Sequence, residues 1–385
     1  MRLWIGLFVG CVALIVVVAT RSQAETLSSG APVWCNQDAL YVGQSLVLVG
    51  RADGRLFKAT DSGWHELPQS SLGIQLAVAP DGVIYSYNVF THQIQRSVDG
   101  GETWQIMGQF PYELNQDGAV LSASPISGTV FIGMGNYVSA YRGIFKSVNA
   151  GATWSQVLSG DEAGPVSYSP TFAQDGTAFS ALTAYHAFVG VRKTTDYGDT
   201  WQPAENGLCS EGCGGIDIPR WVAVSPQYGQ DHTAFTASVH GLYKTTNGGS
   251  SWMKINGTVF WSAAFSPLYA TDHKLLVGRE DTGLFLSRNG GQSFEQVLSG
   301  YVGAWGVRQQ GPFESMTAAP VPSGPYRVYL PLVSHESTAL EFWVIRPTGL
   351  FGDCYLYRSR DEGVTWKEIP VLEASNWIYL PISHR

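Results

Sequence analysis

The sequence is poor in charged residues and has no basic run. Asp, Glu, Lys and Arg make up 14 % of its 385 residues, and the formal net charge is −8. Globular proteins usually contain about 25 % charged residues. Nucleic-acid binding surfaces carry a basic patch or stripe. The composition therefore argues against a nucleic-acid partner.

The sequence also lacks helical periodicity and the composition of a disordered chain. It contains 44 glycines, and aromatic residues make up 12 % of it. Disordered chains combine low hydrophobicity with high net charge and few aromatics. Abundant glycine and aromatic residues with little charge instead indicate a compact β-rich protein.

Long apolar runs are confined to the N-terminus. Arg2 precedes an apolar run at 3–19, and Ser22 and Ala24 supply the small residues that a signal peptidase recognises. We expect a signal peptide at 1–24, with an uncleaved membrane anchor as the alternative. Cleavage would remove Arg2 and Arg21 and take the net charge from −8 to −10. The remainder of the chain, 25–385, is expected to be secreted or otherwise extracytoplasmic.

Cysteine is scarce, and four cysteines remain after residue 24: Cys35, Cys209, Cys213 and Cys354. An even number in an exported chain predicts disulfides, with three possible connectivities. Cys209 and Cys213 share a glycine-rich loop that can fold back on itself, which would leave Cys35 to pair with Cys354. A metal site at the close pair is the competing interpretation, but no His or Cys lies nearby in sequence. We expect no metal and no cofactor.

One eight-residue pattern recurs along most of the chain. It combines a hydroxyl residue, Asp or Asn, Gly, a second hydroxyl residue and an aromatic. Copies occupy 97–104, 147–154, 194–201, 245–252, 287–294 and 359–366. The polar and aromatic positions are Asp99 and Trp104, Asn149 and Trp154, Asp196 and Trp201, Asn247 and Trp252, Asn289 and Phe294, and Asp361 and Trp366.

Each copy predicts a tight turn between two strands. Asp and Asn can hydrogen-bond the backbone two residues on, and Gly supplies a positive φ. Alternating apolar residues flank each copy, which is typical of an antiparallel hairpin. The pattern resembles the Asp-box, or BNR repeat, of sialidases, sortilin-type receptors, xyloglucanases and photosystem II assembly factors. We refer to each copy as a box and expect its polar and aromatic residues to be structural.

The spacing of the boxes predicts a repeat architecture. Successive boxes begin 50, 47, 51, 42 and 72 residues apart, near the period of propeller blades. A shortened copy at 60–64 adds one unit. Ser-Pro turns and Asp-led turns precede most boxes, and His232 and His273 occupy turn positions there. We predict a single all-β, seven-bladed propeller of four-stranded antiparallel blades at 25–385, with an insertion at about 320–353 in the last blade.

A propeller of this kind places its boxes on one face and its longer loops on the other, and function concentrates in loops on a rigid scaffold. The loop face is rich in aromatics that can stack on sugars or peptide side chains or can cap the core. They are Tyr87, Phe90, Phe110, Tyr112, Tyr137, Tyr141, Tyr185, Phe188, Trp261, Tyr301 and Trp305. Carboxylates assigned to the same face are Asp117, Asp161, Glu162, Glu205, Glu211, Asp217, Glu280, Asp281 and Glu314.

The resemblance to sialidases implies three arginines that hold a sugar carboxylate, with a Tyr–Glu pair as the nucleophile. Arg220, Arg279 and Arg308 are assigned to the loop face of three successive blades and suit carboxylate binding. The N-terminal Arg-Ile-Pro motif of sialidases is missing; Arg346-Pro347 is the nearest match. The ligand-binding candidates are Arg220, Arg279, Arg308, Tyr185, Tyr301 and Trp305.

The sequence favours a monomeric, non-catalytic recognition propeller that binds a glycan or an extracellular protein. A sialidase-type exo-glycosidase is the alternative, and it would place two carboxylates across the scissile bond or use the arginine trio. An assembly factor like the photosystem II propellers is a third interpretation, although the chain has no evident arginine-rich stripe. Contact with a membrane is expected only through residues 1–24.

Overall fold

A computed structural model gives the structure of this chain. It describes residues 39–42, 47–50, 55–60, 63–70, 74–88, 91–111, 119–134, 141–160, 163–182, 190–208, 219–238, 240–258, 260, 262–279, 282–300, 304–309, 340–347 and 354–369. The predicted signal peptide at 1–24 lies outside these residues. None of the helices in these ranges is long and apolar enough to cross a membrane.

The described strands form seven antiparallel sheets, each built from four strands that are consecutive in sequence and adjacent in space. We number the sheets in chain order. Sheets one to three contain β1 (Ala39–Val42), β2 (Val47–Gly50), β3 (Arg55–Thr60) and β4 (Gly63–Ser70); β5 (Ile74–Val78), β6 (Ile84–Asn88), β7 (Gln93–Ser97) and β8 (Gln105–Gln109); β9 (Ala119–Ala123), β10 (Val130–Met134), β11 (Gly143–Ser147) and β12 (Ser155–Ser159).

Sheets four to seven have the same order of strands. They contain β13 (Ala163–Tyr168), β14 (Ala178–Leu182), β15 (Val191–Thr194) and β16 (Gln202–Pro203); β17 (Pro219–Val224), β18 (Ala234–Ser238), β19 (Gly241–Thr245) and β20 (Met253–Asn256); β21 (Ser262–Phe265), β22 (Leu275–Arg279), β23 (Gly283–Ser287) and β24 (Glu295–Ser299); β25 (Ala304–Gln309), β26 (Leu340–Pro347), β27 (Cys354–Ser359) and β28 (Lys367–Ile369).

Exposure rises across each sheet from the inner to the outer strands. All residues of the second strands β10, β14 and β18 are buried, whereas every residue of the fourth strands β8, β12 and β24 is exposed or half-buried. Apolar and β-branched residues favour strands that pack on both faces, and polar residues tolerate a solvated edge. The core therefore lies between neighbouring sheets and the fourth strands lie outside it.

The first strands of consecutive sheets lie against each other. β5 contacts β1 and β9, β13 contacts β9 and β17, β21 contacts β17 and β25, and β25 contacts β1. Side chains bridge some of these inner strands directly: the Ser122 hydroxyl accepts from the Val166 N–H at 3.1 Å, and the Ser167 hydroxyl donates to the Val222 carbonyl at 2.6 Å. The sheets thus follow one another through their innermost strands.

The antiparallel order gives every sheet two unlike ends. Connections between strands one and two and between strands three and four lie at one end, which we call the turn end. Connections between strands two and three, and those from one sheet to the next, lie at the other end, which we call the loop end. All six full boxes connect a third strand to a fourth strand and so lie at the turn end.

Three Ser-Pro or Ser-Pro-like turns continue into a single helical turn, which the sequence pattern did not predict. These are α1 (Phe172–Asp175), α2 (Tyr228–Asp231) and α3 (Tyr269–Asp272). Each ends on a left-handed residue: Gly176, His232 and His273, with φ of 61°, 48° and 50°. The left-handed conformation stops a helix. The predicted turn role of the two histidines is confirmed.

The first and last sheets depart from the common pattern. Where the shortened copy was predicted, β3 and β4 form a hairpin in which Thr60 pairs with Gly63, so only two residues, rather than a full box, separate the strands. In sheet seven, Leu340–Pro347 forms the second strand, although it falls inside the insertion predicted at about 320–353. Residues 310–339 and 370–385 lie outside the described residues.

Candidate functional site

The box of sheet two shows how the repeated polar residues of the turn end are used within the fold. The Ser97 hydroxyl donates to Asp99 Oδ1 at 2.8 Å and accepts from the Gly101 N–H at 2.8 Å. Asp99 also accepts from the N–H and the hydroxyl of Thr103, at 2.9 and 2.5 Å. The carboxylate is therefore enclosed by donors from its own turn.

Boxes with Asn keep the same geometry by reversing one hydrogen bond. Asn149 accepts from the Thr153 N–H at 2.9 Å, but its Nδ2 donates to the Thr153 hydroxyl at 2.8 Å. The same reversal occurs from Asn247 to Ser251 and from Asn289 to Ser293. A hydroxyl can donate or accept. Asp and Asn can therefore exchange at this position without a change of turn.

The donors around the box carboxylates lower their pKa values. The side-chain hydrogen bond from Thr103, followed by the Thr103 N–H and the Ser97 hydroxyl, lowers the pKa of Asp99 to about 2. For Asp196, partial burial raises the pKa, but hydrogen bonds led by the Thr200 and Thr194 hydroxyls outweigh it and bring the pKa to about 2. The pKa of Asp361 is lowered in the same way, first by the Thr365 hydroxyl.

These shifts predict that the fold loses stability in acid. A carboxyl whose folded pKa lies below its unfolded value of about 3.9 stabilises the fold above that pH, and the contribution is lost as the pH falls through the folded value. We expect the urea midpoint of unfolding to drop between about pH 4 and pH 2.

The Asp99→Asn variant provides the matched test, since other boxes carry Asn at this position. We expect it to unfold near the wild-type urea midpoint at neutral pH and to lose less of that midpoint in acid. An equal acid dependence in both proteins would show that the box carboxylates do not carry the effect.

Basic residues of the third strands reach across to the box of the next sheet. Lys146 Nζ lies 2.7 Å from Asp199 Oδ1, and Lys193 Nζ donates to the Gly248 carbonyl at 2.8 Å. Lys58 approaches Glu102 at 3.4 Å. The sequence pattern did not predict this role. A Lys or Arg directly before the box hydroxyl at 96, 146, 193, 244 and 358 was the available signal.

The box of sheet seven is also bound by basic side chains of the preceding sheet, but from other positions. Glu362 of the last box accepts from Lys274 Nζ at 2.5 Å and from the Arg288 guanidinium. Lys274 and Arg288 both belong to sheet six, where Leu286 replaces the usual basic residue. Partial burial raises the pKa of Glu362, but the hydrogen bonds and charges of the two cations lower it below its usual value. The repeated polar groups at the turn end are thus engaged in structure.

The predicted arginines do not all lie at the same end of their sheets. Arg220 is the second residue of β17 and Arg279 is the last residue of β22, so both backbones lie at the loop ends of neighbouring sheets. Arg308 is the second-to-last residue of β25, which places its backbone at the turn end. The assignment of Arg308 to the loop face was wrong, because β25 carries the chain from the loop end to the turn end before it reaches Arg308. Of the three side chains, only the half-buried one of Arg279 belongs to the described residues.

The predicted loop aromatics divide into core and surface. Tyr87 and Phe110 are buried, and Phe110 packs edge-on against Phe145 and Trp154 of sheet three. Burial raises the pKa of the Tyr87 hydroxyl. Tyr141 is 43 % exposed at the loop end of sheet three. Tyr185, Tyr301 and the side chain of Trp305 lie outside the described residues.

Glu205 is the one predicted loop-end carboxylate among the described side chains, and it forms an ion pair. Arg192 Nη1 donates to its Oε2 at 2.9 Å, and both side chains are partly buried. A Cβ on Gly190 would lie 2.4 Å from the same oxygen, so glycine is needed for this close approach. Elsewhere in the described part of the chain, no group of three or more His, Cys, Asp or Glu side chains could hold a metal ion.

The boxes at the turn end and the connections between second and third strands at the loop end differ in how much their lengths vary. All six full-box connections between third and fourth strands have seven residues, as from Ser97 to Gln105. The connections between second and third strands range from two residues at 239–240 to eight at 135–142 and 183–190. The uniform length of the boxes indicates a structural role for them, and variable length is typical of surfaces that carry specificity.

Comparisons with known proteins support the fold. No protein-family model matches the sequence, and no curated protein matches it. Among solved structures, it resembles a GH74 enzyme from Niastella koreensis at 15 % identity, covering 89 % of this chain and 67 % of that one with a TM-score of 0.52. It also resembles a GH74 xyloglucanase from Xanthomonas campestris at 14 % identity, covering 89 % and 68 % with a TM-score of 0.55.

A third similar structure is YCF48 bound to D1 peptide, at 11 % identity, covering 80 % of this chain and 97 % of that one with a TM-score of 0.50. At such low identity, similarity extends to the fold alone. With its four-stranded antiparallel sheets and little helix, this chain is a β-propeller. The sialidase resemblance drawn from the boxes has no counterpart among these structures.

Proposed function

We propose that the chain is an exported recognition propeller that binds a glycan or a protein ligand at the loop ends of its sheets. The seven sheets would be seven blades of one ring, closed where β25 contacts β1. The contrast between the uniform boxes at the turn end and the variable connections between second and third strands at the loop end is the observation that carries the proposal. A surface that recognises one ligand must differ from blade to blade; the six full boxes do not, whereas the connections between second and third strands do.

The pairing of polar groups at the turn end also favours a ligand site at the loop end. At the turn end, box hydroxyls and carboxylates bond one another, and lysines from the preceding sheet bind the outer face of the boxes. A ligand at the boxes would meet donors and acceptors that are already paired with one another. The exposed aromatic ring of Tyr141 lies at the loop end instead.

Ligand binding can be tested with probes from both classes. Xyloglucan oligosaccharides and sialyllactose represent glycans, and an array of short peptides represents proteins. For a probe that binds, we expect Tyr141→Ala combined with Arg279→Ala to weaken affinity by about tenfold or more, as for truncated contact residues. The matched control, Val98→Ser with Val148→Ser, alters exposed residues at the turn end and should leave affinity unchanged. Weaker binding by the turn-end variant, with unchanged binding by the loop-end variant, would place the ligand at the turn end.

A sialidase-type hydrolase is the second candidate, favoured by the loop-end backbones of Arg220 and Arg279 on neighbouring sheets. Holding the substrate carboxylate requires well-paired arginines, and loss of one partner of such a pair costs several kcal/mol. With Arg308 at the turn end and no Arg-Ile-Pro motif, the trio is incomplete. We therefore expect no release of chromophore from a chromogenic sialoside. Hydrolysis of the sialoside that falls in Arg279→Ala while the fold persists would favour the hydrolase over the recognition propeller.

A further inference from the structure

The chain contains four Asn-Gly pairs, and the structure surrounds them differently. They are Asn206-Gly207, Asn247-Gly248, Asn256-Gly257 and Asn289-Gly290. Asn-Gly is the dipeptide most open to spontaneous deamidation, because glycine has no Cβ to hinder attack of its backbone nitrogen on the preceding side-chain carbonyl carbon. The attack still requires a nitrogen that is free to move toward that carbon. The environment of each glycine nitrogen should therefore decide which pair reacts.

The two pairs inside boxes are held in unreactive arrangements. The Gly248 N–H donates to the His232 carbonyl at 3.0 Å, and the Gly290 N–H donates to the His273 carbonyl at 2.9 Å. Asn247 Nδ2 is bonded to the Ser251 hydroxyl, and Asn289 Nδ2 is bonded to the Ser293 hydroxyl. Both glycines are buried. Attack in either box would break the bonds that define the turn.

Asn206-Gly207 is held between two sheets. The Asn206 carbonyl accepts from the Trp252 N–H at 2.8 Å, and Asn206 Nδ2 donates to the Ser250 carbonyl at 3.3 Å. A Cβ on Gly207 would lie 2.1 Å from the Trp252 carbonyl oxygen, so this backbone is pressed against sheet five. Rotation of the peptide toward the Asn206 side chain is therefore restricted.

Asn256-Gly257 combines an unhindered nucleophile with an activated carbonyl. Asn256 is the last residue of β20, and Gly257 is exposed, with no atom within 4 Å of the point where a Cβ would lie. Among the described residues, the Gly257 N–H has no hydrogen-bond acceptor. The Thr258 N–H donates to Asn256 Oδ1 at 2.7 Å. That donor stabilises the negative charge that develops on the oxygen when the carbonyl carbon is attacked.

We propose that Asn256-Gly257 is a self-modifying site, at which the folded chain converts Asn256 to aspartate and isoaspartate while the other three Asn-Gly pairs persist. The Gly257 nitrogen, having lost its proton to water or buffer base, bonds to Asn256 Cγ. The Cγ–Nδ2 bond breaks, and nitrogen leaves as ammonia after gaining a proton. Water then opens the succinimide. Addition at Cγ gives aspartate, and addition at the main-chain carbonyl carbon gives isoaspartate.

The modification would change the loop end of sheet five. Asn256 pairs with Leu242, and its carbonyl lies against the Gly241 backbone next to His240. Either product adds one negative charge there, and isoaspartate also lengthens the main chain by one carbon. If a ligand binds at the loop ends, as proposed above, aged protein would present it with an altered surface; the chemistry itself does not depend on that function.

Peptide mapping of the folded chain tests the proposal. The purified protein is kept folded in mildly alkaline buffer at physiological temperature, then digested and analysed by mass spectrometry, with isoaspartyl methyltransferase labelling to identify isoaspartate. We expect only the peptide with Asn256 to gain a single mass unit at an appreciable rate. In urea all four pairs should react at similar rates, which calibrates the protection that folding gives.

The Gly257→Ala variant separates this route from simple hydrolysis. The position has open space and no positive φ, so the fold and its thermal midpoint should be unchanged. Conversion of Asn256 should slow by about tenfold or more, because the added Cβ hinders attack by the backbone nitrogen. Misplacement of a reacting atom can lower a rate by about a hundredfold. Equal rates for Asn256 and either box asparagine in the folded chain would overturn the proposal. An undiminished rate in Gly257→Ala would do so as well.

Discussion

Trp252→Ala is expected to lower the free energy of unfolding by about 3–5 kcal/mol, the usual loss when a buried tryptophan is truncated. Trp252 is 4 % exposed and packs in a cluster shared by sheets four and five, with Val191, Ala204 and Leu208 on one side and Tyr243 on the other. Its Nε1 donates to the Ala204 carbonyl at 2.8 Å. Removal would open a cavity between two sheets.

Trp252→Phe provides the matched control, because sheet six carries Phe294 at the equivalent position. Phenylalanine keeps an aromatic ring in the cluster but leaves the Ala204 carbonyl without the indole donor. We expect it to cost less than the alanine variant, about 1–3 kcal/mol for the unpaired carbonyl. Urea unfolding measures both.

The two variants also test the assignment of the turn end as structural. Ligand affinity of the folded fraction should be unchanged in both proteins, since the box aromatics lie away from the proposed binding surface. A variant with wild-type stability and lost binding would contradict that assignment.

The boxes could be predicted from sequence because each is stabilised within eight consecutive residues. Ser97, Asp99 and Thr103 bond to one another, and their spacing alone brings them together. The same locality made the turn role of His232 predictable, because the left-handed residue ends a helical turn only a few residues long. Short-range hydrogen bonds leave a readable pattern in the sequence.

Contacts between sheets could not be predicted in the same way. Lys146 and Asp199 are 53 residues apart, and their pairing depends on how one sheet is placed against the next. The end of the sheet at which an arginine lies depends on where its strand begins and ends, and the sequence pattern did not define those bounds for the strand that contains Arg308. The sequence did not distinguish Glu205 from the other loop carboxylates, because its ion-pair partner Arg192 lies on β15, a different segment of the sheet.

The two cysteines predicted to link the first sheet to the last are expected to have a large effect on stability. β1–β4 form the first sheet and β25–β28 the last, so in the described chain no strand is exchanged between the two termini. Among the described residues, β1 of the first sheet contacts β25 of the last. Without strand exchange, a covalent link at this junction would contribute strongly. The predicted Cys35–Cys354 disulfide would supply it.

The positions of the two cysteines in sequence suit that link. Cys354 is the first residue of β27 and so lies at the loop end of sheet seven. Cys35 precedes the loop-end start of β1 by four residues; its own placement, like that of Cys209 and Cys213, lies outside the described residues. Four residues can span about 13 Å, whereas β27 is separated from β25 by two strand spacings of about 4.8 Å each.

We therefore expect Cys354→Ser to lower the free energy of unfolding by about 4 kcal/mol, because the disulfide closes a loop of most of the chain and restricts the unfolded state. Replacing both Cys209 and Cys213 by serine is the control. Their predicted disulfide closes a very short loop, so the entropic contribution should be smaller. Peptide mapping without reductant should recover Cys35 joined to Cys354. A Cys35–Cys209 peptide, or a free Cys35 thiol, would contradict the predicted link between the first and last sheets.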